Sequence, residues 1–204
     1  MNTAATLVPV DAPPEREAAR ALISEYLQYI SDTALANYAL SFDIDAMVRS
    51  DIEDRSKFYP PSGRFYLVQH SGNYVGVGCL KRLAPAVGEV QRMYVQPRAR
   101  GIGAGRLLVE QLVKDARTLG YKTLRLESLK VLAAAHALYR SVGFLEIDPY
   151  SENSMKAYQP RGMVEAYRAS AVFMELRLDR PAPSDASPLR RSEGRRRWPV
   201  QGST

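Results

Sequence analysis

The 204-residue chain is 46% hydrophobic, has a formal net charge of +6 and contains one cysteine, Cys79. That describes one domain with a sizeable core. It excludes an internal disulfide, and with only two histidines beside the cysteine no metal site is expected. No apolar run nears the ~18 residues of a membrane span and no basic-then-apolar leader opens the chain, so the expected compartment is the cytoplasm. Half of the positive excess lies in residues 181–204, where five arginines face only Asp185 and Glu193. The body therefore carries an ordinary charge for a soluble enzyme, and neither nucleic acid nor membrane is an expected partner.

Thr6 to Val10 reads as a first edge strand. Pro13, Pro14 and Glu15 make a helix start, and Ala19, Leu22, Ile23, Tyr26, Leu27 and Ile30 continue at helical spacing, predicting a helix over 14–31. A second, acidic helix is expected over about 43–58, ended by Pro60, Pro61 and Gly63. Runs at 64–70 and 74–80 flank Ser71-Gly72-Asn73, a hairpin signal. A break at 84–88 leads to a third strand, Glu89–Val95, completing an antiparallel meander. A helix over about 104–119 with Gly120 as C-cap precedes a strand at 122–127, which a helical crossover makes parallel to its predecessor. A short helix, 133–142, stops at Gly143. Strands at 144–147 and 171–178 close the domain, with a mobile flap expected between them at about 149–168, where Tyr150, Tyr158 and Tyr167 lie. The expected organisation is one α/β (α+β) domain, 1–178, and a disordered basic tail, 179–204, too poor in apolar residues to order itself.

The chemistry is concentrated after Val95. Arg98, Arg100, Gly101, Ile102, Gly103, Ala104, Gly105 and Arg106 join a strand to a helix. Glycines free backbone N–H groups to converge, and a helix start adds unpaired N–H groups and partial positive charge, which makes a phosphate cradle. The dinucleotide fingerprint fails after Gly105, and no Gly-Lys-Ser/Thr closes a P-loop. The remaining pattern, Arg-x-x-Gly-x-Gly, resembles the acetyl-CoA pyrophosphate loop of the GNAT superfamily of N-acetyltransferases. It fits in two registers, and Arg100 to Gly105 is chosen for its distance from the last valine of the strand. Ala133 to Phe144, containing Leu138-Tyr139 and Gly143-Phe144, is similar to a second segment of that family, in order and at a family-like distance.

The resemblance, covering about residues 60–178, implies a mixed, mostly antiparallel central sheet of six to seven strands flanked by helices, with a parallel pair at the CoA crevice. It implies acetyl transfer from acetyl-CoA to an amine, of a small molecule or a protein, by direct attack in a ternary complex; a homodimer is compatible with it. Residues 100–106 would hold the pyrophosphate, and Met93, Tyr94 and Val95 would meet the pantetheine. Tyr139 matches the family's acid for the departing thiolate. Glu127, twelve residues earlier in the chain, and Glu89 are alternative bases. Two positions depart from the pattern: Leu132 replaces an asparagine common in the family, and His136 takes a usually apolar place and is expected to be partly exposed. Cys79 is expected in the core. Asp43, Asp45, Asp51, Glu53 and Asp54 are candidates for attracting a cationic acceptor. The alternatives to an enzyme are a non-catalytic acyl-CoA sensor and, through the tail, a nucleic-acid-associated protein.

Overall fold

The structure, a computed structural model, describes residues 4–150 and 164–179. Strand β1 (Thr6–Pro9) leads to helix α1 (Pro13–Tyr38), then α2 (Ile44–Glu53) and α3 (Arg55–Phe58). The meander is β2 (Arg64–His70), β3 (Asn73–Ala84) and β4 (Val87–Val95). It is followed by α4 (Ala104–Thr118), β5 (Thr123–Leu129), α5 (Ala133–Val142), β6 (Leu145–Ile147), α6 (Val164–Ser170) and β7 (Ala171–Arg177).

The seven strands form one sheet in the order β1-β2-β3-β4-β5-β7-β6. Only β4 and β5 run parallel, as the helical crossover between them requires. One face is covered by α1, α2 and the link between them, whose Ile23, Met47 and Leu40 pack with Leu67, Val77 and Cys79 of the sheet. On the other face Val109 and Leu112 of α4 meet Leu80, Leu124, Leu126 and Met174. Each such buried side chain contributes about 1.5–3 kcal/mol of hydrophobic stabilisation. Cys79 is buried in the core as expected.

Three stretches differ from expectation. Helix α1 runs past residue 31 to Tyr38, because buried Ala34 extends its apolar face. The acidic helix expected at 43–58 divides at Asp54, whose carboxylate accepts from Ser56 N at 3.0 Å and so caps a new helix. Part of the expected flap is ordered: residues 164–170 form α6, and Tyr150 and Tyr167 are buried. Tyr158, and all of the basic tail beyond Asp179, lie outside the described residues.

A bulge in β4 shapes the site. Val77 pairs with Tyr94 and Cys79 with Gln91, so β4 carries one more residue than β3 across this interval. Arg92 has a left-handed backbone, φ 54°. Bulges bend and twist the strand that carries them. Here β4 keeps its pairing with β5 only from Val87 to Glu89. Beyond Glu89 the two strands separate.

Candidate active site

The split between β4 and β5 opens a crevice of about 560 Å³. Its walls come from β4 (Met93, Tyr94, Val95), the loop and first turn of α4, Tyr26 and Tyr29 of α1, and α5 with the residues before it. Gly103 is the N-cap of α4, and the first amide bonded back into the helix is Leu107 N, to Gly103 O at 3.0 Å. The amides of Ala104, Gly105 and Arg106 therefore precede the helix's own hydrogen bonding and are available to an anion. Gly101 and Gly103 both have φ of 85°, and a Cβ at either would meet nothing within 4 Å. The space before them is clear, as a bulky phosphate requires. Gly105 serves differently, since a Cβ there would stand 3.1 Å from Leu138 Cδ2. It lets α5 close onto α4.

Most of the residues nominated for the cofactor meet at this crevice: Met93, Tyr94, Val95, Arg100, Gly101, Gly103, Ala104, Gly105 and Arg106 line it. Ile102 does not, and is exposed. Arg100 Nε reaches Val95 O at 3.4 Å. Arg106 is held by Glu110 at 3.1 Å and Ser141 at 2.8 Å, and Arg98 turns to Gln96. Of the three arginines, Arg100 and Arg106 line the crevice and Arg98 does not.

Tyr139 faces the crevice from α5, its ring 5.9 Å from Phe144. Its hydroxyl has no hydrogen-bond partner among the described residues. Burial raises its pKa above the ordinary 10.0, so the phenol keeps its proton at neutral and moderately alkaline pH. His136, on the same helix, is 4% exposed rather than partly exposed, and it does not line the crevice. Burial, and then Arg140, lower its pKa. It is a neutral core imidazole.

Behind the crevice lies a second cavity, of about 50 Å³, between the β4–β5 split and helices α1 and α2. The two share Tyr26 and Leu132 as walls. The departure at Leu132 thus places an apolar side chain at the junction. Glu127 lines the inner cavity beside Gln91, Arg92, Ser128 and Tyr167, and it is hydrogen-bonded to Tyr167. Glu89 lines neither cavity. It is 0% exposed, accepts from Gln91 Nε2 at 2.7 Å and Tyr150 Oη at 3.0 Å, and lies 3.7 Å from Lys81 Nζ.

The acids of α2 and its flanks do not form an attracting patch. Asp43 and Asp54 cap helices, Glu53 faces Arg20 at 3.9 Å, and Asp45 is exposed. Asp51 is 0% exposed and is bonded to both Arg92 and Lys57. Sequence periodicity could not single out the Asp51–Arg92 pair, because Arg92 reads as one more residue of a regular strand and its inward turn depends on the bulge. Tyr26 was visible only as part of an apolar helical stripe. Among the described residues no cluster of His, Cys, Asp and Glu is arranged to hold a metal ion, and no helix is long and apolar enough to cross a membrane.

A glycine loop at a helix start, a split parallel strand pair and a phenol lining the gap are the arrangement that the resemblance to acyl-CoA acyltransferases implies. Residues 20–144 match the acetyltransferase (GNAT) family. The chain is 34% identical over 138 residues to an IAA acetyltransferase of Azospirillum brasilense, covering 67% of this chain and 83% of that one. It superposes on a GNAT-family acetyltransferase from Staphylococcus aureus with a TM-score of 0.62 at 19% identity, covering 86% of this chain and 99% of the other. A Thermoplasma acidophilum N-acetyltransferase in complex with coenzyme A gives 0.60 at 15% identity, with the same coverage. The chain belongs to the GNAT acetyltransferase family and is an enzyme of the acyltransferase class.

Proposed function

We propose that the protein transfers an acetyl group from acetyl-CoA to a primary amine by direct attack, with both substrates bound together. The carrying observation is the junction of the two cavities at Tyr26 and Leu132. A phosphate-binding cradle and Tyr139 lie on one side of these shared walls and Glu127 on the other. The donor lies along the outer crevice, its pyrophosphate on the amides of Gly101 to Arg106. Its amide-bearing arm lies along the β4 edge, which pairs with no β5 residue beyond Glu89. The acceptor enters through the inner cavity.

The residues then divide the proton work. An ammonium has no lone pair, so Glu127 removes one proton before attack. As the nitrogen bonds to the acyl carbon, the bond from that carbon to sulfur breaks, and Tyr139 gives its proton to the departing thiolate. The second proton lost by the nitrogen restores the phenol, and Glu127 returns the first to solvent. Amide groups at the β4 bulge support charge developing on the acyl oxygen. Glu127 fits the base role better than Glu89 because it lines the inner cavity and Glu89 lines neither. A cytoplasmic setting suits the single buried thiol of Cys79.

The test is incubation of the full chain with acetyl-CoA and a panel of amines, following thiol release and the mass of the product. Acetylated amine is the expected result. Tight CoA binding without transfer to any amine overturns the proposal and leaves an acyl-CoA sensor.

A further inference from the structure

The inner cavity is chemically two-ended. Gln91 Nε2 donates to the carboxylate of Glu89 at 2.7 Å, and since a carboxylate only accepts, this bond fixes the orientation of the amide. Gln91 Oε1 is consequently aimed the other way. It is buried and has no hydrogen-bond partner among the described residues, although Gln91 forms part of the cavity wall. An orphaned buried acceptor is costly unless something donates to it. Glu127, also in the wall, is a second acceptor. These two groups match the N–H donors of an ammonium.

The opposite need is met by Arg92. Its Nε and Nη2 bond Asp51, the latter at 3.3 Å. A guanidinium has five donors, and Nη1 has no partner among the described residues. Asp51, reached by both Arg92 and Lys57, holds the guanidinium in place against the cavity. The left-handed backbone of Arg92 is a strained arrangement of the kind found where a side chain must be aimed. Resting on the N-acetyltransferase reading above, we propose that the acceptor is a small amine that also carries a carboxylate, of the amino-acid type. Its ammonium is bound by Gln91 Oε1 and Glu127 and its carboxylate by Arg92. Gln91 and Arg92 are then the specificity-determining residues.

The experiment compares matched acceptors on the full chain with acetyl-CoA: alanine, valine and leucine, each against its decarboxylated amine and its amide. Sites built to pair a polar group discriminate strongly against analogues lacking it, so kcat/KM for the free amino acids should exceed that of both partners by at least about tenfold. In Arg92→Lys, which keeps a cation beside Asp51, this preference should fall at least about fivefold. The preference is a ratio within one preparation, so loss of folded protein does not change it. Equal or better transfer to the carboxylate-free amines, or an undiminished preference in the variant, overturns the proposal while leaving the N-acetyltransferase reading intact. Absence of transfer to every amine, with acetyl-CoA still bound, overturns both.

Discussion

Tyr150 Oη donates to Glu89 Oε1 at 3.0 Å, joining the segment after β6 to the middle of the sheet. The Tyr150 ring also meets Phe173 edge-on at 5.4 Å and lies under the Arg125 guanidinium at 4.9 Å. With Gln91 and Lys81 on the other oxygen, Glu89 is the centre of a buried polar cluster and lines neither cavity. Removing one member of such a cluster strands the rest, at about 3–5 kcal/mol. Glu89→Ala should therefore lower unfolding free energy in urea by that order. Glu127→Gln should instead cost about a hundredfold or more in kcat/KM at neutral pH, with a much smaller change in stability. The reverse pattern would make Glu89 the base.

Gly103 tests the cradle. Its φ of 85° costs an L-residue about 1–2 kcal/mol, and its Cα faces open space. Gly103→Val should weaken CoA binding at least about tenfold by calorimetry, the order expected when about 1.4 kcal/mol of phosphate contact is lost. A short acetyl thioester without the pyrophosphate should show no such loss in KM. Unaltered CoA affinity would refute the placement of the pyrophosphate on this loop.

Alkaline stability follows from the tyrosines. Burial, and then a hydrogen bond to Asp115, raises the pKa of Tyr66 to about 12; burial, and then a hydrogen bond to Glu25, does the same for Tyr94. Unfolded, both return to the ordinary value of 10.0. The fold thus binds these protons more tightly than the unfolded chain. Their contribution is complete below about pH 10 and is lost as pH rises from about 10 through about 12. Urea midpoints should be level from neutrality to about pH 10 and then fall. The Tyr66→Phe/Tyr94→Phe double variant should fall less steeply over that window, and an identical slope would refute the assignment.

The sequence is most legible where local chemistry alone decides structure. The glycine loop, the helix over 133–142 and the meander follow from turn residues and periodicity, and the family resemblance adds the parallel pair at the crevice. Less visible are features that depend on distant partners. Nothing near Glu89 in sequence announces Tyr150, and the acidity of α2 looks like a patch until the caps and the Arg92 pair account for its members. His136 reads as partly exposed from its polarity, but α5 turns it inward beside Tyr139. The bulge at Arg92 is least legible, because a β-branched and aromatic run gives no sign of an extra residue. It is also the feature that opens the crevice and aims the guanidinium.

Tyr139 provides the sharpest test of the proposed chemistry. Its phenol lines the crevice, and burial keeps it protonated beyond the usual range. A positioned acid contributes about 10²–10⁴ in rate, so Tyr139→Phe should lower kcat by about a hundredfold or more while changing the acetyl-CoA KM only slightly, since the ring and its packing on Phe144 remain. In the native enzyme kcat should show no decline from loss of this proton up to about pH 10, the ordinary phenol value. Because the variant lacks the phenol entirely, its deficit should persist across that range. A less basic thiolate leaving group needs less protonation, so an activated aromatic thioester should recover much of the lost rate. Unchanged kcat with acetyl-CoA would instead assign protonation of the thiolate to water and leave Tyr139 as a packing residue.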